Sequence, residues 1–256
     1  MTSTIAQDSK ISVASFAKHC HEQMIPVNGS LRYFSVIPLE DGDLQRLVYD
    51  PAATTPPKTR EILPNLNLVV VGYLEKAPHA DESEGPLVVF RRPAANRQLY
   101  SAVTEGENGS YLFVAVKDED VADCHDSFYQ ELATLIVAHA EPEMVERYAE
   151  LLREELKGQV RGEVEDTSWK LKEKVLRNEK NVSRNTRVFQ DYARESMIDT
   201  LTLYLHGLCC DIDVEAGPRQ LPSGRIRKRL ELLRTLLPPP KGVAVFPEEL
   251  GSQPAR

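Results

Sequence analysis

Long apolar runs, disulfide spacing and nucleotide-binding loops are all missing from this chain. The longest apolar stretch, Leu66 to Leu74, is interrupted by Asn67 and Gly72. It falls far short of the ~18–20 residues a membrane helix needs. Asp8 and Lys10 break the apolar core that a signal peptide would require, so none is expected. Only four cysteines occur, at 20, 124, 209 and 210, two of them adjacent. That spacing excludes the regular framework of a secreted disulfide scaffold, and a reduced, cytoplasmic protein is expected. No Walker loop, Gly-x-Gly-x-x-Gly or Gly-x-Ser-x-Gly elbow is present. A formal net charge of −8 disfavours nonspecific attachment to nucleic acid or anionic membrane.

What is present is an ordinary globular mixture, 41% apolar and 27% charged over 256 residues, long enough for a sizeable core. The pattern divides near residue 125. Before it, a helix is expected over Val13–Met24, ended by Pro26 and Asn28-Gly29. Strands are expected at Leu31–Leu39, Gln45–Tyr49, Leu66–Leu74, Pro86–Arg91, Gln98–Thr104 and Ser110–Lys117, with a hairpin about Gly106–Gly109. Residues 50–64 and 76–85 read as loops. After residue 125 the period becomes helical, with stripes such as Phe128/Leu132/Leu135/Ile136 and Met144/Tyr148/Leu151/Leu152/Leu156. Further helices are expected over about 163–178, from a cap at Ser183 or Asn185 to Leu208, and from Ser223 until Pro238-Pro239-Pro240 stops it. Gly242–Phe246 reads as a closing strand.

The reading is therefore α+β: a mostly antiparallel sheet in the N-terminal half, then about five helices. Residues 1–124 form the strand-rich half, 125–246 the helical half packed on the sheet as one domain, and 247–256 a disordered tail. Leu66, Val69, Val71, Val88, Phe90, Phe113, Leu132, Ile136, Leu201, Leu205, Leu230 and Leu233 are the expected core.

Four constellations carry candidate chemistry. In the first, Phe128-Tyr-Gln-Glu-Leu-Ala-Thr-Leu135 follows a strand and places Gln130, Glu131 and Thr134 on a helix. Two histidines four apart on a helix can bind zinc from one face, with a following glutamate activating a water. The segment resembles that helix of zincin-type zinc metallopeptidases with both metal-binding histidines replaced. The resemblance implies that Gln130 and Thr134 stand at the ligand positions and Glu131 at the position of the base. Since Gln and Thr are poor zinc ligands, it implies a degenerate fold rather than a zinc peptidase. An ordinary amphipathic helix fits the same residues, with His139 at its boundary.

In the second, Glu195, Asp199, Thr202 and His206 recur at helical spacing and share one side of the longest helix. Carboxylates and an imidazole so aligned suit a divalent metal, or simply a solvated face. In the third, His206-Gly-Leu-Cys-Cys-Asp-Ile-Asp-Val-Glu215 gathers Asp211, Asp213 and Glu215 in alternation, either around a cation or as an exposed acidic strand. In the fourth, Arg225, Arg227, Lys228 and Arg229 make a local basic helix opposite the leucine stripe, read as a solvated face or as pairing with the acidic 211–215 segment.

These residues lead to a soluble intracellular binding or regulatory protein without an evident catalytic site. The alternative is a metal-dependent hydrolase using Glu131 with Glu195, Asp199 and His206, and further carboxylates from Asp211 and Asp213. A protein partner is expected, with no membrane, and nucleic acid only through the 225–229 helix. No cofactor is expected beyond the divalent metal those carboxylates could hold.

Overall fold

The computed structural model describes residues 10–77, 85–210, 219–246 and 249. It is an α+β protein whose strands lie mostly in the N-terminal half. The chain divides into two compact units, one of residues 1–53 and 63–135, the other of residues 54–62 and 136–256.

The first unit opens with β1 (Ile11–Ser12), α1 (Val13–Cys20) and a 3-10 turn over His21–Gln23. Ser12 caps α1 by accepting from the Ser15 amide at 3.2 Å. There follow β2 (Ile25–Pro26), β3 (Leu31–Ser35), α2 (Asp41–Leu44), a π-helical stretch Gln45–Tyr49 and α3 (Asp50–Thr54). Next comes α4 (Thr59–Ile62), which belongs to the second unit. The first unit resumes with β4 (Leu66–Val71), β5 (Tyr73–Glu75), β6 (Leu87–Val89), β7 (Gln98–Leu99), β8 (Ser101–Gly106), β9 (Gly109–Ala115) and α5 (Val121–His139), within which the boundary falls.

Two sheets result. One has the order β1-β6-β5-β7 and is wholly antiparallel; the other has the order β2-β3-β4-β9-β8. Antiparallel pairings predominate, yet β3, β4 and β9 at the centre of the second sheet run parallel. All six β4 residues are buried, as expected for a parallel strand covered on both faces. The chain passes between the sheets from β1 to β2, from β4 to β5 at Gly72 and from β7 to β8 at Tyr100. On one face α1 packs Val13, Phe16, Ala17 and Cys20 against Val69, Val71, Phe113 and Ala102. Phe16 meets Phe113 edge-on with ring centroids 6.2 Å apart. Ser101 belongs to the opposite face, where it reaches Glu131 of α5.

The parallel pairing explains two departures from the sequence reading. A β3-to-β4 parallel connection needs a long crossover, commonly helical. Gln45–Tyr49, expected as a strand, is therefore π-helix, and residues 50–64, expected as a loop, hold α3 and α4. The expected hairpin is present, with Gly106 opposite Gly109. Gly109 has φ 116°, and a Cβ there would stand 2.2 Å from the Asn65 carbonyl oxygen, so only glycine fits.

The second unit contains α6 (Pro142–Lys157), α7 (Asp166–Leu176), α8 (Glu179–Ser183), α9 (Arg187–Cys209) and α10 (Ser223–Leu236). Thr186, rather than Ser183 or Asn185, caps α9 by accepting from the Phe189 amide. Gly242–Phe246 forms turns and bends instead of a strand. Of the expected core residues, Phe90 and Leu230 are only half-buried and the rest are buried. The tail expected to be disordered lies outside the described residues, apart from Glu249. No helix among the described residues is long and apolar enough to cross a membrane.

Candidate functional site

Among the described residues of the second unit, a cluster of four charged side chains is sealed from solvent. Helix α10 buries Ile226, Arg229, Leu233 and Leu236, spaced three and four apart, so Arg229 occupies a position of the apolar stripe. This corrects the reading of 225–229 as a wholly solvated basic face: Arg229 has 0% exposure, whereas Arg227 and Lys228 remain outside, paired with Glu231 and Glu154. The Arg229 guanidinium donates to Glu155 of α6 at 2.6 Å and to Glu163 at 2.7 and 2.9 Å. A further donation reaches the Ser196 hydroxyl at 2.9 Å. Lys172 of α7 donates to Glu163 at 3.2 Å and to the Gly162 carbonyl at 2.8 Å. The Tyr192 hydroxyl donates to Glu163, and Tyr148 shares a 2.6 Å bond with Thr200.

Backbone geometry sets Glu163 in place. Its amide donates to the Arg219 carbonyl at 2.9 Å and its carbonyl accepts from the Leu221 amide at 3.1 Å. Gly162, at φ 84°, permits the approach, since a Cβ there would lie 2.2 Å from the Gln220 oxygen. The centre balances two cations, Arg229 and Lys172, against two carboxylates, Glu155 and Glu163. Burial alone would raise the Glu163 pKa, but hydrogen bonds and charge from Arg229, the Lys172 ammonium and the Tyr192 hydroxyl outweigh it and bring it down to about 2. Burial lowers the Lys172 pKa against the pull of Glu163. With Glu155, Lys172 and Arg229 at 0% and Glu163 at 1% exposure, the centre holds helices together and offers no surface to a substrate.

The residues singled out by sequence lie elsewhere. Glu131 is on α5, where Ser101 of the edge strand β8 donates to its carboxylate at 2.8 Å. Burial pushes its pKa up, against the lowering effect of that bond. Gln130 is exposed, and Thr134 donates to the Gln130 carbonyl at 2.9 Å. On α9, Glu195 is half-buried. Asp199 departs from a solvated face: one carboxylate oxygen is buried with no hydrogen-bond partner among the described residues. Burial raises its pKa to about 7, countered by the Ser168 hydroxyl and reinforced by Glu195, Glu165 and Glu163. His206 is half-buried near the end of α9, with an imidazole nitrogen within 4.8 Å of the Cys210 sulfur. Asp211, Asp213 and Glu215 lie outside the described residues.

Sequence reasoning missed Glu155, Glu163 and Lys172 and placed Arg229 on a solvated face. A signal for three of them existed. Arg229 falls three after Ile226 and four before Leu233, Lys172 falls three before Val175, and Glu155 falls four after Leu151, so each is a charge in apolar register. Nothing comparable marks Glu163.

No family model matches the chain, nor does any curated protein or solved structure.

Proposed function

We propose that this chain is a cytoplasmic protein that works by binding a protein partner, without a catalytic centre of its own. The observation that carries this reading is the sealed ionic centre. That cluster of charge is spent on joining α6, α7, α9 and α10 at zero exposure, which is scaffold chemistry. Four cysteines without disulfides support a reducing compartment.

The alternative of a metal-dependent hydrolase draws, separately, on Glu131 in the first unit and Asp199 in the second, each with its carboxyl pKa raised by burial, since perturbed carboxyls are catalytic candidates. Metal analysis of the purified chain, with ester and peptide hydrolysis assays, separates the two. The binding reading expects zinc well below one per chain and no hydrolysis above a Glu131→Gln control. Stoichiometric metal lost on Glu131→Ala, together with hydrolysis lost on Glu131→Gln, overturns it.

A further inference from the structure

The exposed corner where α7 passes through α8 into α9 has a charge opposite to that of the protein. Residues 170–187 hold seven cations and two carboxylates, a net +5 within a chain of net −8, so the remainder carries −13. One of the cations, Lys172, belongs to the buried centre. Lys170, Lys174 and Arg177 recur at four and three residues along α7, opposite the buried Ser168, Lys172 and Val175. Arg177, Lys180, Arg184 and Arg187 then follow within eleven residues across the short connection to α9, and all are exposed.

Elsewhere several exposed cations have a carboxylate beside them, while others such as Lys58, Arg60, Lys157 and Arg194 stand without an ion pair among the described residues but are not gathered in one short stretch. Arg46 pairs with Asp43, Arg92 with Asp118, Arg219 with Asp166, Arg227 with Glu231, Lys228 with Glu154 and Arg234 with Glu249. At this corner Lys170, Lys174, Arg177, Arg184 and Arg187 make no ion pair or side-chain hydrogen bond among the described residues. A stretch with five more cations than carboxylates repels itself, and an anionic partner relieves that repulsion. Amid them Leu176 is 51% exposed, a large apolar side chain flanked in sequence by Lys174 and Arg177.

We propose that this corner docks an acidic protein segment bearing an apolar side chain that packs on Leu176. The proposal rests on the binding reading above and gives the partner its chemistry. Three features favour a short protein segment over nucleic acid. The exposed leucine offers nothing to a phosphate backbone. No exposed aromatic side chain lies at the corner for base stacking. A polyanion longer than the corner would run onto the acidic remainder of the chain, whereas a short segment stays within the basic area.

The test uses the full chain in fluorescence anisotropy at low salt. The probes are a short labelled peptide of Asp and Glu with one central Leu, the same peptide with Ser for Leu, and a single-stranded RNA of equal charge. Sedimentation of the chain alone runs in parallel. The Leu peptide is expected to bind and to weaken steeply with salt. Binding should fall about tenfold in Lys174→Glu/Arg177→Glu/Arg184→Glu, several-fold in Leu176→Ser and several-fold for the Ser peptide, while Arg46→Glu leaves it unchanged. All these substitutions are at exposed positions, and circular dichroism confirms the fold. Tighter binding of the RNA than of the peptide, self-association abolished by the triple reversal, or no peptide binding would each overturn the proposal. Glu131-dependent hydrolysis would instead sink the binding reading, and the peptide titration would read the same either way.

Discussion

Replacing Arg229 by Met tests the sealed centre directly. The guanidinium is the principal partner of two carboxylates that have 0% and 1% exposure. Removing one partner of a buried ion pair costs about 3–5 kcal/mol, because the remaining charge stays desolvated. Against a total stability of ~5–15 kcal/mol, that is a large share. The pH dependence supplies a second estimate. The folded pKa of Glu163 is depressed from 4.5 to about 2. A depressed carboxylate contributes stability that is present above the unfolded pKa and lost as pH falls through the folded one. The difference amounts to about 3 kcal/mol, lost between roughly pH 5 and pH 2. The only tryptophan, Trp169, lies on α7 beside Ser168, so its fluorescence reports on the second unit. Urea unfolding followed at Trp169 should show Arg229→Met destabilised by about 3–5 kcal/mol at pH 7. Wild type should lose about 3 kcal/mol more than Glu163→Gln between pH 5 and pH 2. A loss below about 1 kcal/mol for Arg229→Met, the size of an exposed pair, would refute the argument that this centre is dry and stabilising.

The other predictions are narrower. Asp199 has a folded pKa of about 7 against an ordinary 3.8, so its contribution is full below pH 3.8 and is lost as pH rises through 7. Asp199→Asn should therefore raise the urea midpoint at pH 8, by about 1–3 kcal/mol, and change little at pH 3.5. Gly162→Ala should cost about 3 kcal/mol or more in the same assay, combining positive φ with a clash at the Gln220 carbonyl. Ser101→Ala removes the donor to a partly buried carboxylate and should cost about 1–3 kcal/mol at pH 8, with less effect at pH 3.5, where Glu131 is protonated. An unchanged midpoint for Ser101→Ala at both pH values would mean that Glu131 is hydrated rather than held by β8.

The helices were legible wherever one face is apolar at helical spacing. Met144, Tyr148, Leu151, Leu152 and Leu156 fixed α6 to within two residues at its start. The strands β4 and β9 were legible as short apolar runs, but their parallel pairing was not, since a run of Leu and Val carries no sign of direction. Gln45–Tyr49 was misread because Leu47, Val48 and Tyr49 suit a strand as well as a crossover helix. Of the site, the charges were legible and their exposure was not. Arg229 was assigned to water by residue type, although its register with Ile226 and Leu233 placed it inside. Asp199 was likewise read in an aligned row with Glu195, Thr202 and His206, and the burial of one of its oxygens has no signature in the local sequence.

The contact between Arg229 and Glu155 spans 74 residues of chain. On a ribosome adding ~5–20 residues per second, Glu155 is made roughly 4–15 s before its guanidinium exists. During that interval Glu155 of α6 and Glu163, just ahead of α7, are carboxylates that belong in a dry interior and have no arginine to accompany them there. Until α10 arrives, burying Glu155 would leave its carboxylate without the guanidinium that accompanies it in the folded chain. The first unit's last strand is complete by Ala115, well before α10 exists. Synthesis therefore orders the two units in time, and a chain halted before residue 229 should present its second unit to chaperones and proteases as an unfinished one.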